Sequence, residues 1–236
     1  MIGGVQSALM GGSIKGDGVD IAAGLVHHWP LDVLNGTGGV DDAIGTHHLA
    51  AVGSITIDAD GVIGPCVLGD AAYEYLTKNG LTDYYPFNNS QFSVALWVKP
   101  RATQSPSLYP HIISFGDYGD GGFVIHTGAT PNYLSFNLGT LSGWGKTIAV
   151  TIGIDVWSHL IVTFDNGVLT SFLNGVAVGS PVTGAAWVNP RSGYNNLRLF
   201  WCIQSNHYYY GKLDDVRIYD KALSPSEVLA LYNYRG

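Results

Sequence analysis

Residues 158–179 read SHLIVTFDNGVLTSFLNGVAVG. Three short apolar-rich segments are separated by Asp165-Asn166-Gly167 and by Asn174-Gly175. Asn-Gly suits the positive φ angles of a type I′ turn, whose twist matches paired antiparallel strands. The stretch therefore predicts a three-stranded meander.

Similar segments run through the chain from Leu25 onward. LVHHWPL (25–31) reads as a first strand, and HHLAAVGSITI (47–57) supplies one or two more. AAYEYL (71–76) alternates, with Tyr73 and Tyr75 on one face. QFSVALWV (91–98) puts Phe92, Val94, Leu96 and Val98 on one face. HIISF (111–115), GFVIHT (122–127) and YLSFNL (133–138) follow, with Gly, Asp and Asn between them. LRLFWCI (197–203) and GKLDDVRIY (211–219) close the series. One helix is predicted over 225–233: Ser224 caps it, Pro225 takes the first helical position, and Glu227 completes Ser-x-x-Glu. Val228, Leu229, Leu231 and Tyr232 give it an apolar stripe. Many strands with one short terminal helix predict an all-β fold, a two-sheet antiparallel jelly-roll sandwich.

Composition agrees and excludes several functions. The 236 residues suffice for one sizeable core. Only 12% are charged, while 32 are Gly and 14 are Tyr, a balance that disfavours helical bundles and disorder. The net charge of −7 comes without any Lys/Arg cluster, which argues against nucleic-acid binding. No apolar run approaches a membrane span. Cys66 and Cys202 read as two buried thiols or as one disulfide, and their spacing does not decide between these. Residues 1–24 form a Gly-rich arm with no charged segment leading into an apolar one, so they do not read as a secretory signal. An arm of this composition is expected to lie against its own sandwich, a sister subunit or a larger assembly.

Four motifs occur in a telling order: GLVHHWPLD, FSVALWVKP, WSHLIVTFDNGVLTSFLNGVAVG and the terminal GKLDDVRIYDKALSPSEVLALY. Together they resemble the laminin-G-like branch of the concanavalin A-like lectin/glucanase superfamily, over roughly residues 24–236. The resemblance implies two curved sheets packed face to face, with the first and last strands in one sheet. It implies glycan or protein binding in most members, hydrolysis in some, and frequent calcium.

Glycoside hydrolysis needs two carboxyl groups flanking one bond. The chain has only two glutamates, Glu74 and Glu227. Glu227 is occupied by the helix cap, and Glu74 has no carboxylate within two positions on either side. A non-catalytic protein is expected. The paired histidines His27 and His28 point to opposite faces of a strand, so they do not share an ion. Asp214 and Asp215 are likewise expected to face opposite sides. With the first strand beside the last, Asp32 comes near Asp214. Two carboxylates and nearby carbonyls suit Ca²⁺; otherwise Asp32 starts a turn and Asp214 accepts backbone N–H groups.

Aromatics cluster near predicted turns: Tyr84, Tyr85, Tyr109, Tyr118, Trp144, Trp187, Tyr194 and HYYY (207–210). Flat rings beside carboxylates suit sugar stacking. Asp117, Tyr118, Asp120 and Trp144 are the preferred glycan-binding set. The expected role is adhesion or decoration on a virion surface, that of a phage, with the arm docked on capsid or tail proteins and the sandwich facing a glycan or host surface. A free-standing extracellular lectin is the alternative, and a glycoside hydrolase the third.

Overall fold

A computed structural model describes residues 15–16, 18–82, 86–87, 90–104, 109–117, 119–201 and 207–236. Cys202, Tyr84, Tyr85, Tyr118 and arm residues 1–14 and 17 lie outside the described residues. In chain order the strands are β1 (Lys15–Gly16), β2 (Val19–Asp20), β3 (Leu25–Trp29), β4 (Ala50–Val52), β5 (Thr56–Asp58), β6 (Cys66–Gly69), β7 (Tyr75–Lys78), β8 (Gln91–Pro100) and β9 (His111–Asp117). They continue as β10 (Gly121–Thr127), β11 (Tyr133–Thr140), β12 (Gly143–Thr151), β13 (Ser158–Asp165), β14 (Val168–Leu173), β15 (Val176–Thr183), β16 (Leu197–Leu199) and β17 (Gly211–Tyr219), followed by helix α1 (Pro225–Asn233).

Two antiparallel sheets form the sandwich. One runs β12-β11-β10-β9-β16-β7-β4; the other runs β15-β14-β13-β8-β17-β6-β5, with β3 also on β17. The meander forms as its turns demand. Asn166 and Gly167 take φ 46° and 87°, and Asn174 and Gly175 take 50° and 82°. Phe92, Val94, Leu96 and Val98 all enter the inter-sheet core, facing Phe115, Phe123 and Phe136 from the other sheet. The capping box on α1 is complete: Ser224 accepts from the Glu227 N–H, and the Glu227 carboxylate accepts from the Ser224 N–H.

α1 closes a second, smaller core. Val228, Ala230 and Leu231 pack with Ala95, Ile161, Phe172 and Tyr219 on the outside of the eight-stranded sheet. Ile21 belongs to this cluster, and its carbonyl accepts the Tyr219 hydroxyl at 3.0 Å. Residues 18–24, part of the arm in sequence, are thus packed onto the body. Cys66 is a buried free thiol whose pKa burial pushes up to about 12.

Candidate functional site

The first question is why two aspartates stand together in the last strand. One edge of β17 pairs along its length with β8, while the other is divided. β6 covers Gly211–Leu213 and β3 covers Val216–Tyr219. Asp214 and Asp215 fall in the hand-over between these neighbours, where backbone groups lose their ladder partners. The β17–β8 register shifts there, and Asp215 takes φ 50°. This bulge replaces the simple opposite-face alternation expected of the pair.

Each aspartate then replaces missing pairing. Asp214 Oδ2 accepts the Val62 and Ile63 N–H groups at 2.6 and 2.9 Å. Asp215 Oδ1 bonds His28 Nε2 at 2.7 Å and accepts from Arg217 at 3.0 and 2.9 Å. Burial alone would raise the Asp215 pKa, but Arg217 and His28 overcome it and hold it at about 2.

Asp32 joins them. Gly64, two residues past Val62, lies so near that a Cβ there would sit 3.0 Å from Asp32 Oδ1. Burial, aided by the charge of Asp215, pushes the Asp32 pKa up to about 6. Burial also pushes Asp214 up to about 7; its bonds from Ile63 and Val62 oppose the rise, and the charges of Asp215 and Asp32 add to it. Asp32 Oδ1, Asp214 Oδ1 and Asp215 Oδ2 are buried oxygens without hydrogen-bond partners. Asp214 feels the charges of both Asp215 and Asp32. Among the described residues, no group of three or more His, Cys, Asp or Glu is placed to hold a metal by itself.

The second constellation occupies the outer face of the seven-stranded sheet. Alternation sends Phe123 and Ile125 of β10 into the core and turns His126 outward. On β11 it sends Phe136 and Leu138 inward and Asn137 outward, and on β12 it exposes Thr147. These outward groups are wired together. Thr147 donates its hydroxyl to Asn137 Oδ1, and Asn137 Nδ2 lies 2.5 Å from His126 Nε2. His126 Nδ1 lies 2.6 Å from the Thr127 carbonyl. A carbonyl only accepts, so Nδ1 carries the proton and Nε2 accepts from the amide. His126 is thereby held neutral: burial lowers its pKa, the Thr127 bond opposes this, and the charge of His207 lowers it further.

Aromatic rings frame this relay. Trp144 stacks over His126 at 6.4 Å, and Tyr109 meets it edge-on at 5.4 Å. His111 stacks on His126 at 5.7 Å and on His207 at 5.6 Å. Burial drives the His111 pKa well below the ordinary range, helped by these two rings. The site is a neutral polar floor with one exposed hydroxyl and half-open aromatic walls.

Of the preferred glycan-binding set, Asp120 and Trp144 approach the same rim. Arg191 bridges the two loops: its guanidinium lies 3.8 Å from Asp120 Oδ1 and donates to the Leu141 carbonyl at 3.0 Å. Asp120 is buried and tied to Arg191, so it positions the rim. Asp117 ends β9, its backbone paired with Gly121. Trp187, counted among the loop aromatics, instead packs against Phe87 and Phe92 of the core. His126, Asn137 and Thr147 were not singled out by sequence. Their outward phase was legible from alternation, but their bonding across three strands was not.

Comparison with known proteins follows the geometry. The Laminin_G_3 family model, described as the concanavalin A-like lectin/glucanases superfamily, matches residues 70–229. Domain 4 of AbnA, a GH43 extracellular arabinanase from Geobacillus stearothermophilus in complex with arabinotriose, is 25% identical with TM-score 0.65, covering 89% of this chain and 98% of that one. The binding domain of botulinum neurotoxin DC in complex with SialylT shares the fold at 15% identity and TM-score 0.69, covering 90% of this chain and 52% of that one. Adhesion G-protein coupled receptor V1 of Danio rerio is 23% identical over 155 residues, 61% of this chain. The match spans 2% of that receptor's length, and the chain spans about half of the toxin domain.

Proposed function

The chain belongs to the concanavalin A-like lectin/glucanase superfamily, and on that premise we propose that it is a non-catalytic glycan-binding module. The observation that carries this reading is the uncharged Thr147–Asn137–His126 relay beneath Trp144 and Tyr109. Sugar hydroxyls need neutral donors and acceptors fixed in direction, and sugar rings need a flat apolar face. Both needs are met at the same rim. The arabinanase domain that binds arabinotriose covers nearly its whole length with this fold, which supports a neutral oligosaccharide as ligand.

The carboxylates favour binding over turnover. Glu74 Oε2 accepts the Asp70 and Ala71 N–H groups at 3.1 and 3.0 Å, and Glu227 serves the helix cap. Neither is offered to a scissile bond. Isothermal titration of the full chain with arabinotriose and with other neutral trisaccharides tests the reading. Binding to at least one is expected, with Trp144→Ala weakening it about tenfold. Release of reducing sugar from a polysaccharide panel, abolished in Glu74→Gln, would replace the binding module with a hydrolase.

The same proposal places the module on a virion surface, that of a phage, with the Gly-rich residues 1–14 toward the particle. Four glycines among residues 1–14 raise the entropy cost of ordering that segment, a cost that contact with a partner would offset. Mass spectrometry of purified particles should find the chain in stoichiometric amount; its absence leaves a free-standing extracellular lectin. Calcium at Asp32 and Asp214 would staple the first strand to the last, near the two ends of the chain. An ion at a hundredfold excess over its dissociation constant stabilises by about 2.7 kcal/mol. Chelation is therefore expected to lower the Tm by roughly 5–10 °C, and Asp32→Asn should remove that response. An unchanged Tm on chelation would leave the pair as hydrogen-bond acceptors only.

A further inference from the structure

Tyr73 holds a backbone conformation that L side chains rarely adopt, with φ 66°. Two features enforce it. The Glu74 carboxylate closes the turn over residues 70–74 through its bonds from Asp70 and Ala71. Gly53 presses against the Tyr73 carbonyl so closely that a Cβ there would lie 2.3 Å from the oxygen. The strain does not serve burial, because Tyr73 is 64% exposed. A strained residue held by its surroundings and turned to solvent points to use.

The Tyr73 ring also has a defined place. It lies 5.2 Å from Tyr208, the neighbour of His207 in sequence. His207 stacks on His111, His111 on His126, and His126 on Trp144. Two groups of rings, Trp144 to His207 and Tyr208 to Tyr73, meet at the adjacent residues 207 and 208 and together span the outer face of the seven-stranded sheet from the β7 side to β12, the opposite edge. Five strand spacings separate β7 from β12, roughly 24 Å. A second prop stiffens the Tyr73 end: Tyr208 stacks on Trp201 at 5.9 Å, and Trp201 packs on Tyr75 at 4.4 Å.

We infer that Tyr73 is a second sugar-stacking subsite, which takes the far end of the same extended neutral glycan whose near end lies at Trp144. This rests on the glycan-binding reading above. One exposed ring with polar neighbours, Glu74 and the Asp70–Arg101 pair at 3.5 Å, matches the size of a single sugar. A broad apolar patch would fit a protein partner instead. The intervening rings His126, His111 and Tyr208 are buried, so the accessible rings at the two ends, Trp144 and Tyr73, select a chain long enough to reach both.

The test is length dependence, measured by titration calorimetry on the full chain with linear arabino-oligosaccharides of three and eight units. Wild type should bind the octamer at least tenfold more tightly than the trimer. Tyr73→Ala should abolish that advantage while leaving trimer affinity within twofold. Tyr73→Phe, which keeps the ring, should retain it. Tyr73→Gly relieves the left-handed strain, so it should lose the advantage without a fall in Tm greater than about 2 °C. Equal binding of trimer and octamer by wild type would overturn the inference, as would a retained advantage in Tyr73→Ala or a lost one in Tyr73→Phe. Both leave trimer binding at Trp144 standing. Failure of wild type to bind either length removes the Trp144 reading and this inference with it.

Discussion

On the outside of the eight-stranded sheet the outward residues include the apolar Ala95, Ile161 and Phe172; on the outside of the seven-stranded sheet they include the polar Ser135, Asn137 and His126. Both sets come from the same two-residue alternation, and both sets are buried. The apolar set is covered by α1 and by residues 19–25, which seal it as a second core. The polar set is closed by its own hydrogen bonds and framed by rings, with Thr147 and Trp144 left accessible. The inner faces alone would make either sheet a sandwich half. The chemistry of the outward residues decides which half is sealed beneath α1 and which stays open, the face proposed above to bind glycan.

The largest effect should come from charging the sealed face. Val228, on the inner side of α1, is fully buried, and Val228→Asp should cost roughly 3–5 kcal/mol, the penalty of an uncompensated buried charge. Thr151→Asp, at an exposed position of β12 on the open face, should change stability by less than about 0.5 kcal/mol. Urea unfolding measures both, and equal losses would erase the distinction between the faces.

A smaller effect sharpens the contrast through pH. His159 lies between Trp97 at 4.7 Å and Tyr232 at 6.1 Å, and burial holds its pKa at about 3. A base with a lowered folded pKa binds fewer protons folded than unfolded. Its contribution is intact above about pH 6.5 and declines as pH falls towards 3. At pH 4.5 the loss from this residue is about 2–3 kcal/mol relative to pH 7. His159→Phe keeps the stacking and should reduce the acid loss by that amount in unfolding curves at the two pH values.

Next is the relay. Asn137→Ala strands His126 Nε2 and the Thr147 hydroxyl, and should cost about 1–3 kcal/mol and weaken trisaccharide binding together. Trp144→Ala is the smallest in stability, within about 1 kcal/mol by thermal unfolding, because the ring is half open. A stability loss as large as that of Asn137→Ala would make Trp144 a core residue and undo its place on the recognition face.

Most of the scaffold was legible. Asn166-Gly167 and Asn174-Gly175 fixed the meander through their turn chemistry, and Ser224 with Glu227 fixed the helix start. β12 was missed because Gly145, Lys146 and Thr147 break its apolar rhythm; β6 was missed because it is four residues long and follows Pro65. The pairing of the first strand with the last is present, and Asp214 feels the charge of Asp32. The bulge at Asp215 was not legible, since it arises where β6 yields to β3, strands more than 140 residues away in sequence. For the same reason the relay escaped sequence reading. Its three members lie on three strands, and only register places Asn137 opposite Thr147 and diagonal to His126.

The pairing of β3 with β17 also decides how the module carries force. It is antiparallel, with Leu25 opposite Tyr219. Tension applied through both flanking segments meets the pair at one end and opens its bonds in succession, as a zipper does. Tension between one flank and a glycan on the seven-stranded sheet instead crosses the packed interior and loads many contacts at once. An adhesive module tethered at a single end would resist pulling far better than one strung in series between two anchors.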